Sequence, residues 1–146
     1  MTISRPRYQK KKRRKSKFKQ GFYVPKNMEK YRQPIDKTMN ESIYPFMRSS
    51  WEKKFASWCD NNSKVKYWGC EVIHIKYYDT LQQKARRYFP DFFLEMEDGK
   101  KIIVEIKPKN QTHLQNNIDK WNAATLFCKQ KGIEFIVMTE KELGIR

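Results

Sequence analysis

Two apolar runs, residues 87–96 and 101–107, stand either side of Glu97-Asp98-Gly99, and this stretch constrains the fold more than any other. Both runs are rich in aromatic and β-branched residues. A short acidic turn ending in glycine between two such runs is a β-hairpin signal. Pro108 closes the second run, because proline cannot donate to a ladder. Register then decides which side chains share a face. A two-residue Asp98-Gly99 loop would set Asp91 opposite Ile106, on the wrong face. A three-residue loop, with Gly99 in the left-handed region, pairs Met96 with Lys100 and therefore Asp91 with Glu105. Side chains alternate along a strand, so Glu105 and Lys107 project together while Ile102, Val104 and Ile106 face the other layer. The three-residue register gathers Asp91, Glu105 and Lys107 on one face.

The flanking sequence supplies the remaining elements. Trp51, Phe55, Trp58 and Cys59 recur at helical spacing and predict a helix from Ser49 or Ser50 to about Asn61. Strands are expected near 65–67 and over 72–77, as two strands or as one strand bent at Gly69. A polar turn at 79–84 leads into the hairpin. Leu114, Ile118, Trp121, Thr125 and Cys128 predict a second long helix, with Thr112 as N-cap and Gly132 just past its end. Residues 133–138 read as a buried strand, and Thr139-Glu140-Lys141-Glu142 has the form of a capping box. The order is α-β-β-β-α-β, an α/β (α+β) domain over 49–146 with a small mixed sheet flanked by helices. Residues 21–48, aromatic and proline-punctuated, read as an irregular lead that wraps it.

Charge separates the chain into two parts. Of 32 lysines and arginines, ten lie in residues 1–20, which hold no acid; the remaining 22 face 16 acids and leave +6 of the total +16. Residues 1–20 therefore read as a disordered basic arm, and Lys10, Lys11, Lys12, Arg13, Arg14 and Lys15 are its densest cluster. Such a run serves either to solubilise or target the chain or to contact DNA. The absence of an apolar signal core or a bilayer-length run leads us to expect no secretion and no membrane association. Three cysteines without Cys-x-x-Cys spacing and only two histidines argue against a disulfide scaffold, a zinc ribbon and a histidine-based nuclease. No glycine-rich phosphate cradle is present.

Two carboxylates brought together on adjacent strands repel unless a cation sits between them, and oxygen-only donors favour Mg²⁺ or Mn²⁺ over zinc. A lysine beside that cation can orient or deprotonate a water and offset phosphate charge. The set suits phosphodiester hydrolysis.

Pro90-Asp91 followed by Glu105-Ile106-Lys107 resembles the PD-(D/E)xK nuclease superfamily, whose core has the same element order. Arg48-Ser49-Ser50-Trp51-Glu52, Lys66-Tyr67-Trp68, Arg87-Tyr88-Phe89-Pro90-Asp91-Phe92 and Val104-Glu105-Ile106-Lys107-Pro108-Lys109 are similar to the head completion nucleases of contractile-tailed bacteriophages. Transposon-encoded endonucleases that cut DNA 5′ ends are similar over the same core. The resemblance implies a Mg²⁺-dependent endonuclease or exonuclease, with Mn²⁺ able to substitute, acting on packaged duplex DNA before the tail joins the head. It places the protein in the host cytoplasm or the virion, with head and neck proteins on the portal side as partners. Asp91, Glu105 and the Ile106 carbonyl would hold the metal, and Lys107 would activate or position the water. Glu52 matches an additional acid that such nucleases bring to the metal; equally, Ser49-x-x-Glu52 is a capping box. Arg86, Arg87, Lys109 and Gln111 would flank the scissile phosphate, or be ordinary surface residues. A non-catalytic DNA-binding head or neck protein and a transposase or junction-resolving subunit are the alternatives.

Overall fold

The computed structural model describes residues 20–35 and 43–144. Helix α1 (Ser50–Asn61) starts where its sequence caps it, the Ser49 Oγ accepting the Glu52 N–H at 3.1 Å. It lays Phe55, Ala56 and Cys59 on a mixed five-stranded sheet, while Trp58 stays exposed and stacks on Phe55. The strands are β2 (Tyr31–Arg32), β4 (Val65–Gly69), β7 (Phe92–Met96), β8 (Lys101–Ile106) and β9 (Glu134–Met138), in the spatial order β2-β4-β7-β8-β9. The outer pairs are parallel and the inner two antiparallel. Two small antiparallel pairs stand apart: β1 (Gly21–Phe22) with β3 (Phe46–Met47), and a ribbon of β5 (Ile75–Asp79) with β6 (Lys84–Tyr88).

The sheet separates two apolar clusters. On the α1 side lie Trp68, Phe92, Leu94, Val104 and Ile106; on the other, Ile103 meets Ile75, Tyr77 and Tyr88 of the ribbon and Ala124 and Cys128 of α2 (Gln115–Lys131). The ribbon thus lays one face against both Ile103 of the sheet and α2. Gly132 ends α2 at φ 70°, and the Thr139–Glu142 capping box opens α3 (Glu140–Leu143). Among the described residues no helix is long and apolar enough to cross a membrane.

Several sequence expectations shift. Residues 65–69 and 75–79 are not one bent strand, because they belong to different sheets. At Gly69 a Cβ would lie 2.6 Å from the Arg32 carbonyl, so only glycine lets β2 approach β4; two residues on, Glu71 turns the chain out of the sheet at φ 54°. The run 87–96 is likewise split, its first part in the ribbon and its second in the sheet, with Pro90 in the break. β9 is a half-buried edge strand rather than a buried one. α2 begins at Gln115 without a side-chain cap, since the Thr112 Oγ1 bonds the Lys109 carbonyl of a 3₁₀ turn at Lys109–Gln111. Its buried positions are Asn117, Ala124 and Cys128, and Leu114 and Thr125 face out.

The lead is more ordered than an irregular wrap, because it supplies β1, β2 and β3 and is latched to the end of α1. Fully buried Asp60 accepts the Tyr23 hydroxyl (2.8 Å) and the Lys26 and Asn27 N–H groups, while the Lys30 ammonium bonds the Cys59, Asp60 and Asn62 carbonyls. A cation there also suits the negative end of the helix.

Candidate active site

The turn has the three-residue geometry. Gly99 sits at φ 91° and donates to the Met96 carbonyl, and the Met96 N–H donates to the Lys100 carbonyl at 2.8 Å. Phe92 therefore pairs with Val104 and Phe93 with Ile103, and the next step back sets Asp91 beside Glu105. The Asp91 N–H reaches Glu105 Oε1 at 3.3 Å, the Ile106 N–H donates to Asp91 Oδ2 at 2.8 Å, and Lys107 Nζ lies 3.7 Å from Glu105 Oε2. Asp91, Glu105 and Lys107 are brought together on one face.

Pro90 completes the arrangement. In this register it stands opposite Ile106, at a position where an antiparallel ladder would exchange two hydrogen bonds. Proline has no N–H to give, so the Ile106 carbonyl loses its ladder partner, and the Ile106 N–H turns to the Asp91 carboxylate instead. On the other edge, β9 is satisfied through the neighbouring residue, the Lys107 N–H donating to the Met138 carbonyl. Among the described residues the site therefore presents Asp91 Oδ1, Glu105 Oε2 and the Ile106 carbonyl oxygen that Pro90 cannot pair.

Glu105 is almost fully buried and Asp91 half-buried. Burial and the neighbouring Glu105 charge push Asp91 well above the ordinary carboxylate range, against the Ile106 hydrogen bond. Burial also raises Glu105, although the Tyr88 hydroxyl and Lys107 oppose it. A cation between the two carboxylates would relieve their mutual repulsion. Among the described residues no three His, Cys, Asp or Glu side chains converge to hold a metal. The protein's share would be two carboxylates and a carbonyl, all hard oxygens. That suits Mg²⁺ or Mn²⁺, which keep several waters and take substrate phosphate oxygens as ligands, and suits zinc poorly.

The other sequence candidates divide. Glu52 is half-buried and its Oε1 accepts the Arg48 N–H at 2.9 Å, so its capping function is realised at Arg48 rather than Ser49. Burial raises its pKa, and its carboxylate also senses Glu71 and Lys107, which places it within electrostatic reach of the site. Arg86 is engaged, its guanidinium bonding the Gln82 side chain and lying 3.9 Å from Asp79, whereas Arg87 is exposed over the Phe89 ring. Lys109 and Gln111 sit exposed on the turn that follows Lys107. His113 is exposed and Trp121 packs into the α2 cluster. Lys10, Lys11, Lys12, Arg13, Arg14 and Lys15 lie outside the described residues.

Two residues escaped the sequence reading. The buried Tyr88 hydroxyl donates to Glu105 Oε1 at 2.6 Å, and burial followed by the Glu105 charge keeps that phenol protonated. In a continuous strand Tyr88 and Asp91 would point to opposite faces; the break at Pro90 lets Tyr88 return to the site. Lys120 of α2 is half-buried over the Tyr88 ring at 5.8 Å and draws down the Glu105 pKa, a proximity no spacing in the sequence announces.

This geometry meets its counterpart among known proteins. A family model, "TnsA-like endonuclease N terminal", matches residues 62–140, more than half of the chain and the whole span from β4 to β9. The chain belongs to this family of nucleases, with a restriction-endonuclease-like α+β fold. It is also similar to the head completion nuclease of Enterobacteria phage T4, at 34% identity over 145 residues, covering 84% of this chain and 92% of that relative.

Proposed function

We propose that the chain is a Mg²⁺-dependent nuclease that hydrolyses phosphodiester bonds of duplex DNA during completion of a phage head. The observation that carries the reading is the convergence of Asp91, Glu105 and Lys107 beside a carbonyl freed by Pro90. The T4 relative supports the morphogenetic part. Portal-side head and neck proteins in the host cytoplasm or virion are the partners that this role brings with it.

In this mechanism Asp91, Glu105 and the Ile106 carbonyl would hold the cation, which would supply Lewis-acid polarisation of a phosphoryl oxygen, a water of lowered pKa and charge stabilisation of the leaving oxygen. Tyr88 fixes the Glu105 carboxylate by tying down Oε1, leaving Oε2 toward Lys107. Lys107 orients the attacking water and offsets charge building on the phosphate. Lys120, beside the same pair, adds positive potential where the phosphate would sit.

Incubating the purified chain with linear and covalently closed duplex DNA, in Mg²⁺, Mn²⁺ or EDTA, tests the proposal. Cleavage should require the metal and vanish in Asp91→Asn, and attack on closed circles would mark an endonuclease. If wild type and Asp91→Asn leave DNA equally intact across metals, the enzyme reading fails and a DNA-binding structural role replaces it.

A further inference from the structure

The β5–β6 ribbon has an unpartnered outer face. Its register pairs Ile75 with Tyr88, Lys76 with Arg87 and Tyr78 with Ala85. Ile75, Tyr77 and Tyr88 turn inward and are buried against α2, so Lys76, Tyr78, Ala85 and Arg87 turn outward, and all four are exposed. Among the described residues neither Lys76 nor Arg87 has a carboxylate within ion-pair distance. The ribbon's one acid, Asp79, is buried and spent on the Leu81 and Gln82 N–H groups and on Arg86. The outer face therefore carries two cations and no acid, with Tyr78 and Ala85 as the next pair along it.

We infer that this outer face is the surface on which duplex DNA docks, the directly opposed Lys76 and Arg87 gripping backbone phosphates with Tyr78 beside them. The identity of the ligand rests on the nuclease reading; the surface rests on the ribbon's own geometry. A two-stranded ribbon fits a DNA groove, and lysine and arginine contacts to phosphate position a duplex without reading its sequence. The ribbon is also tied to the chemistry. Tyr88, next to Arg87, is anchored on Glu105, and Arg87 precedes Asp91 by four residues, a reach of at most about 14 Å of chain. A duplex held there lies at the mouth of the site. Exposed lysines on a ribbon edge also deter strand pairing, a role that needs no DNA, so the test must separate the two.

The test measures anisotropy of a labelled duplex against the full chain without divalent metal, in the Asp91→Asn background, across a salt series. Lys76→Ala/Arg87→Ala should bind about tenfold more weakly and flatten the slope of log K against log salt by about 2, while Lys129→Ala/Lys131→Ala, which removes the same charge from exposed positions at the end of α2, should leave the slope near its starting value. An unchanged slope in the ribbon variant, or an equal fall in both, overturns the inference. A single strand bound better than the duplex overturns it too. Because binding is read without catalysis, a ribbon-dependent slope alongside an inactive wild type would sink the nuclease reading alone, and active wild type with an indifferent ribbon would sink this inference alone.

Discussion

The Asp91 N–H donates to the Glu105 carboxylate, and among the described residues Lys107, 3.7 Å from Glu105, is the one cation within ion-pair distance of either acid. Such crowding opposes folding and favours cation capture, a strain commonly stored at functional sites. Because Asp91 is raised above its unfolded value, the metal-free protein keeps this group's contribution to stability below the ordinary carboxylate range and loses it as pH rises through the raised value. Asp91→Asn should therefore melt a few degrees higher than metal-free wild type above neutral pH, roughly 1 kcal/mol of relief, while cleavage falls by at least about 10²-fold. Thermal melts with chelator and single-turnover assays check the two halves. Tyr88→Phe should cost about 1 kcal/mol and about tenfold in cleavage rate, since Glu105 Oε1 then keeps only the long Asp91 N–H bond. The acid–acid–lysine set was legible in the sequence because strand alternation groups Glu105 with Lys107 and a three-residue turn brings Asp91 beside them. Tyr88 and Lys120 were not, since one depends on a strand break and the other on where α2 docks.

At the scale of elements, turn length carried the most information. Three residues ending in a positive-φ glycine fix the β7–β8 register, and with it the site. What local pattern cannot state is which sheet a strand joins: β6 and β7 read as one run, yet Pro90 divides them between ribbon and sheet. Pro90→Ala restores an N–H opposite the Ile106 carbonyl. It should leave the melting temperature unchanged or higher while reducing cleavage about tenfold; unaltered activity would show that the carbonyl has no role. The lead's order was also hidden, because its anchor is a single buried aspartate. Burial would raise Asp60, but hydrogen bonds from the Lys26 N–H, the Tyr23 hydroxyl and Asn27 hold it below its ordinary value. Its stabilisation is present above the unfolded carboxylate pKa and lost as pH falls through the lowered folded value. Asp60→Asn should cost about 2–3 kcal/mol at neutral pH and flatten the acid limb of the stability profile, as denaturant melts across pH would report.

Over the whole molecule, charge and chemistry occupy different places. Ten of the 32 basic residues lie in the first twenty, outside the described fold except for its first residue, whereas the reaction is assigned to an acidic minority inside it. Deleting residues 1–19 should lower DNA affinity and its salt dependence, and cleavage at high enzyme concentration should survive. The family match covers the sheet from β4 to β9, the ribbon and α2 but not the arm, β2 or α1. The central claim is that Asp91, Glu105 and the Ile106 carbonyl form a divalent-cation site, and calorimetric titration of Mn²⁺ into the full metal-free chain tests it most directly. Wild type should bind with proton release, and Asp91→Asn and Glu105→Gln should each lose that binding while remaining folded. Equal binding by all three, or none by wild type even with duplex DNA present, would contradict it.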